Sequence, residues 1–224
     1  MTLLEEIDAR IAATPLAAGP LRSVRRECSR RLAAAPARAV VALALRLVGR
    51  GGIGRRVVAY ELVYHHPAAL ASLTARDVER LGRGLDGWGA VDAFGVFIAG
   101  PAWREGRIGH AVIRRWARSR DRWWRRAALV STVPLNSRAR GGSGDAARTL
   151  AVCRMLIADR DDLVVKAMSW ALRELAKRDP GAARRFVAER RGALAPRVVR
   201  EVRNKLETGL KNPRRGARPR RSTA

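Results

Sequence analysis

Apolar residues recur along the chain at intervals of three and four, strand-like alternation is almost absent, and Gly or Pro punctuates the runs. That period is helical, and the filling of Ala, Leu and Arg favours the same state, so the pattern predicts an all-α protein. The runs place helices near residues 3–13, 20–34, 36–48, 54–65, 74–83, 87–98, 107–118, 121–132, 144–158, 162–178, 180–190 and 196–208. Pro20, Pro180 and Pro196 fall where a first helical turn tolerates proline, and Asp121, Asp145 and Asp162 suit N-caps or first-turn acids. Pro101 and Pro134 read as stops.

Similar segments return at a fixed distance. RRVVAYELV begins at Arg55, WRRAALVST at Trp124 and VVKAMSWAL at Val164. Aligning Arg56, Arg126 and Lys166 gives separations of 70 and 40 residues, with WGAVDAFGVF midway in the longer gap. The implied period, about 35 to 40 residues, fits two helices per unit. It predicts a HEAT-like (ARM-type) repeat solenoid of antiparallel helix pairs, one domain over residues 1–210, with an ordinary helical bundle as the alternative. A basic residue returning at one place in each unit would line a basic concave surface suited to an extended polyanion.

Charge sharpens that reading. The 224 residues hold 46 basic and 20 acidic side chains, a formal +26, and 42 of the basic residues are Arg. A GC-rich genome explains Arg over Lys but not the shortage of acids, so a polyanionic partner is implied. Six of the cations lie in residues 211–224, a stretch broken by Pro213, Gly216 and Pro219 and expected to be a disordered basic tail; the body still carries +20 without them. Cys28 and Cys153 are far apart with no CxxC, so reduced thiols are expected, and His65, His66 and His110 have no metal-ligand spacing. No metal and no cofactor is expected. The acidic start MTLLEEIDAR and the Arg46 interruption of the apolar run at 39–48 support neither export nor a membrane span. The expectation is a cytoplasmic monomer, bacterial and nucleoid-associated when on DNA.

Three segments could carry chemistry. Trp88 and Asp92 are four apart and share a helical face. Taken alone they read as a core indole and an ordinary acid, yet an indole face beside a carboxylate also stabilises a cationic alkylated purine and the oxocarbenium-like sugar left when such a base departs. In DRWWRRAAL, Arg122 and Arg126 share a face with Trp123, Trp124 and Arg125 around it, and one of the two indoles is expected to be core. Eight arginines and one acid, Asp121, fall between Arg107 and Arg126, which suits phosphate binding. Lys166, Trp170, Arg173 and Lys177 form one stripe, and Glu174 and Asp179 could pair only part of it.

WGAVD, WWRRAAL and KAMSWALRE, in this order and spacing, resemble the HEAT-like repeat DNA glycosylases of the AlkC/AlkD superfamily over roughly residues 50–206. The resemblance implies that Trp88, Asp92, Arg126 and Trp170 surround a damaged nucleotide in double-stranded DNA. It implies hydrolysis of the N-glycosidic bond of cationic N3- or N7-alkylated purines without deep base flipping, with Trp88, Asp92 and Trp170 catalytic and Asp92 positioning the water. Arg126 would hold a phosphate near the lesion, and Lys166 and Arg173 would track the backbone. Arg55, Arg56, Arg122 and Arg125 complete the expected DNA-binding set. One departure stands out: the family's N-terminal helix of aromatic and basic residues, with a motif resembling YMKN, has no counterpart in IAATPLAAGPLRSVRR. The chain passes into the segment at Leu21 as in a branch lacking that element, so a DNA-binding relative without base release is the alternative.

Overall fold

The computed structural model describes residues 2–213, and the helices within them recur at a regular interval. Packing divides the chain into two units, residues 1–112 and 113–224. The first holds α1 (Leu3–Ala12), α2 (Ala18–Arg31), α3 (Ala37–Gly49), α4 (Ile53–Tyr64), α5 (Pro67–Ala71), α6 (Ala75–Leu81) and α7 (Trp88–Phe94), which continues through a π-helical turn at Gly95–Ala99 into α8 (Gly100–Arg104). Next, α9 (His110–Ala117) spans the boundary. The second unit holds α10 (Arg122–Val130), α11 (Val133–Asn136), a 3₁₀ turn at Arg138–Arg140, α12 (Ala146–Met155), α13 (Asp162–Leu175), α14 (Pro180–Glu189) and α15 (Pro196–Thr208). No strand occurs among the described residues. Most of the expected basic tail, residues 214–224, lies outside them.

Helices α2, α4, α7, α10, α13 and α15 begin at residues 18, 53, 88, 122, 162 and 196, at intervals of 35, 35, 34, 40 and 34. Within the first unit α2, α4 and α7 pack in succession, and within the second α10, α13 and α15 do the same. Shorter or flanking helices back them, α3 against α4, α12 against α13 and α14 against α15. The all-α helix-pair repeat and its period are therefore as the sequence pattern predicts. Because each pair buries its apolar stripe against the next, each unit has its own row of core side chains: Tyr60 and Phe94 in the first, Leu129, Leu172 and Leu175 in the second.

Polar ties repeat at the same distance. Arg25 Nε donates to Glu61 Oε2 at 3.2 Å across 36 residues, Arg38 Nη1 to Asp77 Oδ2 at 2.8 Å across 39, and Arg125 Nε to Asp159 Oδ2 at 2.7 Å across 34. Ser169 Oγ donates to Glu201 Oε2 at 2.6 Å across 32 residues. Each tie joins one repeat to the next.

Local chemistry fixes the ends. Asp121 and Asp145 cap α10 and α12 by accepting from Trp123 N and Arg148 N, both at 2.8 Å. Asp161 caps α13 by accepting from Leu163 N, and Asp162 is an acid of its first turn, one of the two places expected for it. Of the two expected proline stops, Pro134 follows the end of α10 at Val130 as expected, but Pro101 ends no helix. Pro101 lies inside the continuous run from Trp88 to Arg104, where Gly100 N–H bonds Gly95 O five residues back. The wider turn moves the carbonyls that a proline ring would meet in an α-helix and absorbs its missing donor. Pro134 sits in the first turn of α11.

Two side chains show what the packing demands. Burial alone would raise the Asp77 carboxyl, but hydrogen bonds from Arg38 and from the Thr74 hydroxyl and amide outweigh it and hold the pKa at about 2. Cys153 is wholly buried, which pushes its thiol up to about 12 and leaves it inert, and both cysteines are free.

Two outcomes are expected. A carboxyl depressed on folding stabilises fully above its unfolded value of about 4 and loses that contribution as pH falls toward the folded value. Urea midpoints should therefore separate wild type from Asp77→Asn at pH 6, and the gap should close between pH 4 and 2. At Gly142 an added methyl would stand 2.2 Å from Pro134 O and 2.6 Å from Leu135 O, main-chain atoms that cannot yield. Gly142→Ala should cost about 3 kcal/mol by chemical denaturation.

Candidate nucleic-acid interface

In the first unit the expected site begins at the start of α7. Trp88 is its first residue and is 64% exposed, so it is not a core indole. Asp92, half-buried, follows one turn later on the same face. The loop that launches α7 is held by Arg56. That side chain is only 7% exposed, and its Nη2 donates to Arg83 O and Gly84 O, each at 2.8 Å, while Nη1 reaches Tyr60 Oη at 3.2 Å. Tyr60 Oη in turn donates to Leu81 O at 2.8 Å. Gly84 takes φ +65° there, and a methyl on it would stand 3.2 Å from Arg56 Nη2. The expected place of Arg56 on an open basic surface is thus corrected: a guanidinium with three acceptors inside the fold is an internal strut. Arg55 is partly exposed and pairs with Asp8, as does Arg50 at 2.6 Å. Those bonds hold the Asp8 carboxyl below its ordinary value.

In the second unit α10 packs on α13, and the first turns of the two helices meet. Arg126, 5% exposed, donates through Nη1 to Leu163 O in the first turn of α13. Arg122 is half-exposed, 3.6 Å from Asp161 Oδ2, with its guanidinium 5.0 Å from the Trp123 ring centre. Arg125 ties the α9–α10 connection by donating to Ser119 O, Arg120 O and Asp159. The expectation that Trp123 or Trp124 is core is not met: both are half-buried. Trp116 of α9 takes the buried position and Trp124 leans on it, ring centres 4.9 Å apart.

Along α13 the stripe is present but more fully paired than the sequence suggested. Lys166 is exposed and meets Asp162 at 2.6 Å, Trp170 is half-buried, and Lys177, just beyond the helix, meets Glu174 at 2.7 Å. Arg173 donates to Ser169 Oγ at 3.2 Å and stands 3.9 Å from buried Glu201; burial is the main cause that lowers its pKa. Asp162 and Glu201, acids on the helix start and one repeat away, are the partners the linear stripe did not reveal. The structure thus gathers Arg122, Arg126 and Lys166 at the start of α13 in one unit, and sets Trp88 and Asp92 on α7 in the other.

This repeat of paired helices, with its tryptophan and arginine segments in register, matches the sequence profile of a family described as DNA alkylation repair enzyme over residues 16–206. The chain belongs to that family. No curated protein and no solved structure matches the chain. The family's repair role places these residues on a protein that acts in DNA alkylation repair. Among the described residues no group of three or more His, Cys, Asp or Glu is arranged to hold a metal ion, and no helix is long and apolar enough to cross a membrane.

Sequence reasoning missed Tyr60, which looks like any core aromatic until its hydroxyl is seen to brace Leu81 O. It also expected a core indole at Trp123 or Trp124, where the buried one is Trp116. Trp88→Ala should therefore leave the thermal midpoint almost unchanged, whereas Trp116→Ala should cost about 3 to 5 kcal/mol, as for a truncated core aromatic. Calorimetry on the two variants checks this.

Proposed function

We propose that this protein binds duplex DNA and hydrolyses the N-glycosidic bond of cationic N3- or N7-alkylated purines. The observation that carries the reading is Trp88, a largely exposed indole fixed at a helix start with Asp92 on the next turn of the same face. An exposed indole does nothing for the core, and in a family of alkylation repair a cationic lesion is the ligand that an indole face and a carboxylate both favour. Departure of the base leaves positive charge on the deoxyribose, which Asp92 stabilises more in the transition state than in the ground state; the same carboxylate orients the attacking water. The alkylated base is already a good leaving group, so no acid is required to protonate it.

The second unit contributes charge. Arg122, Lys166 and Arg173 are assigned to phosphates, and the half-buried Trp170 to a sugar or base face. Their intramolecular partners Asp161, Asp162 and Glu201 would be exchanged for phosphate on binding. Buried Arg126 and Arg56 act from behind as positioning residues, and Arg55 and Arg125 exchange carboxylate for phosphate only in part. A second reading, DNA binding without base release, is favoured by one feature: among the described residues the helix ahead of α2 is α1, which has Glu5 and Glu6 in its first turn and no aromatic side chain.

Incubation with DNA methylated at purine nitrogens should release free methylpurine, with Asp92→Asn at least about a hundredfold slower, as for loss of a charge-stabilising group, and still bound to DNA. Binding without release by the wild-type protein selects the second reading.

A further inference from the structure

Trp88 is not alone at its position in the repeat. The large apolar side chains exposed in the first unit are Leu16, Ile53 and Trp88, at 72%, 38% and 64%. Ile53 and Trp88 are the first residues of α4 and α7, 35 residues apart, and Leu16 stands two residues before α2. Each helix carries glycine at its second position: Gly19, Gly54 and Gly89. Gly54 and Gly89 make seats, whereas a methyl on Gly19 would meet nothing within 4 Å. A methyl on Gly54 would meet Leu16 Cδ2 at 3.1 Å, and one on Gly89 would meet Ile53 Cδ1 at 3.6 Å, so each side chain lies over the start of the next repeat. The N-caps Ala17, Gly52 and Gly87 make no side-chain hydrogen bond, although Thr or Asp caps α1, α6, α10, α12, α13 and α14. Leu16, Ile53 and Trp88 thus form a ridge with no polar cap standing beside it.

We propose that this ridge lies along the sugar edge of the DNA minor groove, so that Leu16 and Ile53 extend the contact begun by Trp88. The inference rests on the DNA-binding reading above. Two apolar side chains at one repeat position, with Leu16 beside the start of the preceding repeat, are unexplained by solubility on a chain of +26. The arginines beside Ile53 supply a phosphate contact only in part, since Arg50 and Arg55 share Asp8. What is left to recognise a duplex there is apolar contact with deoxyribose C–H groups, of the kind that wedges into an unstacked or kinked step. Continuity with Trp88, which the repair chemistry places at the lesion, selects DNA over a protein partner.

The test is fluorescence anisotropy on a short duplex carrying one abasic analogue, and on its intact counterpart, over a series of salt concentrations. Leu16→Ser/Ile53→Ser should bind the damaged duplex about tenfold more weakly, roughly the worth of two small apolar contacts. The intact duplex should lose less, and the slope of log affinity against log salt should not change, because apolar contacts release no counterions. Arg122→Gln should instead lower that slope by about one. Both ridge side chains are exposed, so an unchanged melting temperature confirms that the variant is folded. Unchanged affinity of a folded double variant overturns the ridge alone. So does a fall in salt slope, or a change from dimer to monomer in sedimentation with DNA binding intact. Wild-type protein that binds neither duplex overturns the DNA reading, and the ridge with it.

Discussion

A buried arginine that donates to main-chain carbonyls about one repeat further along is the interaction on which the functional surface depends. Arg56 holds Arg83 O and Gly84 O, 27 and 28 residues on, and Arg126 holds Leu163 O, 37 residues on. Each sets where the next principal helix begins, and the residues assigned to DNA stand at those beginnings: Trp88 in one unit, Lys166 in the other. Taking a guanidinium out of water costs several kcal/mol unless its donors are met, and a bond from a charged donor returns roughly 1.5 to 3 kcal/mol. With five donors on a planar head, arginine reaches several carbonyls at once and stays charged. Lysine at 56 would reach one and leave the loop before α7 underdetermined.

The excess charge is unevenly distributed. Residues 1–112 hold 16 basic and 10 acidic side chains, a net +6, whereas residues 113–224 hold 30 and 10, a net +20. On the proposed DNA-binding reading, nonspecific attraction comes mainly from the second unit and is steeply salt-dependent. In the first unit Arg25, Arg38, Arg50 and Arg55 pair with Glu61, Asp77 and Asp8, and apolar side chains are exposed beside them. On the proposed reading, attraction and discrimination are then carried by different chemistry, one long-ranged and screened, the other short-ranged and indifferent to salt.

Much of this fold was legible in the sequence because a repeat displays its period twice, in the helical runs and in their recurrence. The starts near 54, 87, 121, 162 and 196 lie within a residue of the helices themselves. What was not legible involved three-dimensional partners. Pro101 looks like a stop because its effect depends on whether the turn before it is α or π, a difference of one hydrogen-bond step. Arg56, Arg126 and Lys166 look equivalent in alignment, yet two point into carbonyls and one into solvent. The stripe on α13 looks like bare cations because Glu201, its buried counter-charge, lies a repeat away. The pairs Ile53-Gly54 and Trp88-Gly89, 35 residues apart, were the available signal for the ridge, but a glycine's reason is visible only when its neighbour's position is known.

The start of a helix is where such a surface can persist at little cost to stability. Side chains on a helix tilt toward its N-terminus, so the first residue overhangs the end of its own helix and the turns that would cover an interior position are missing. Trp88 and Ile53 occupy that overhang, and the glycine behind each lets the previous repeat approach without filling it. An apolar side chain there is anchored by a rigid backbone, braced in the case of Trp88 by Arg56 and Tyr60, and yet contributes little to the core. The fold therefore fixes where the ridge side chains stand while leaving their chemistry to be set by what they touch.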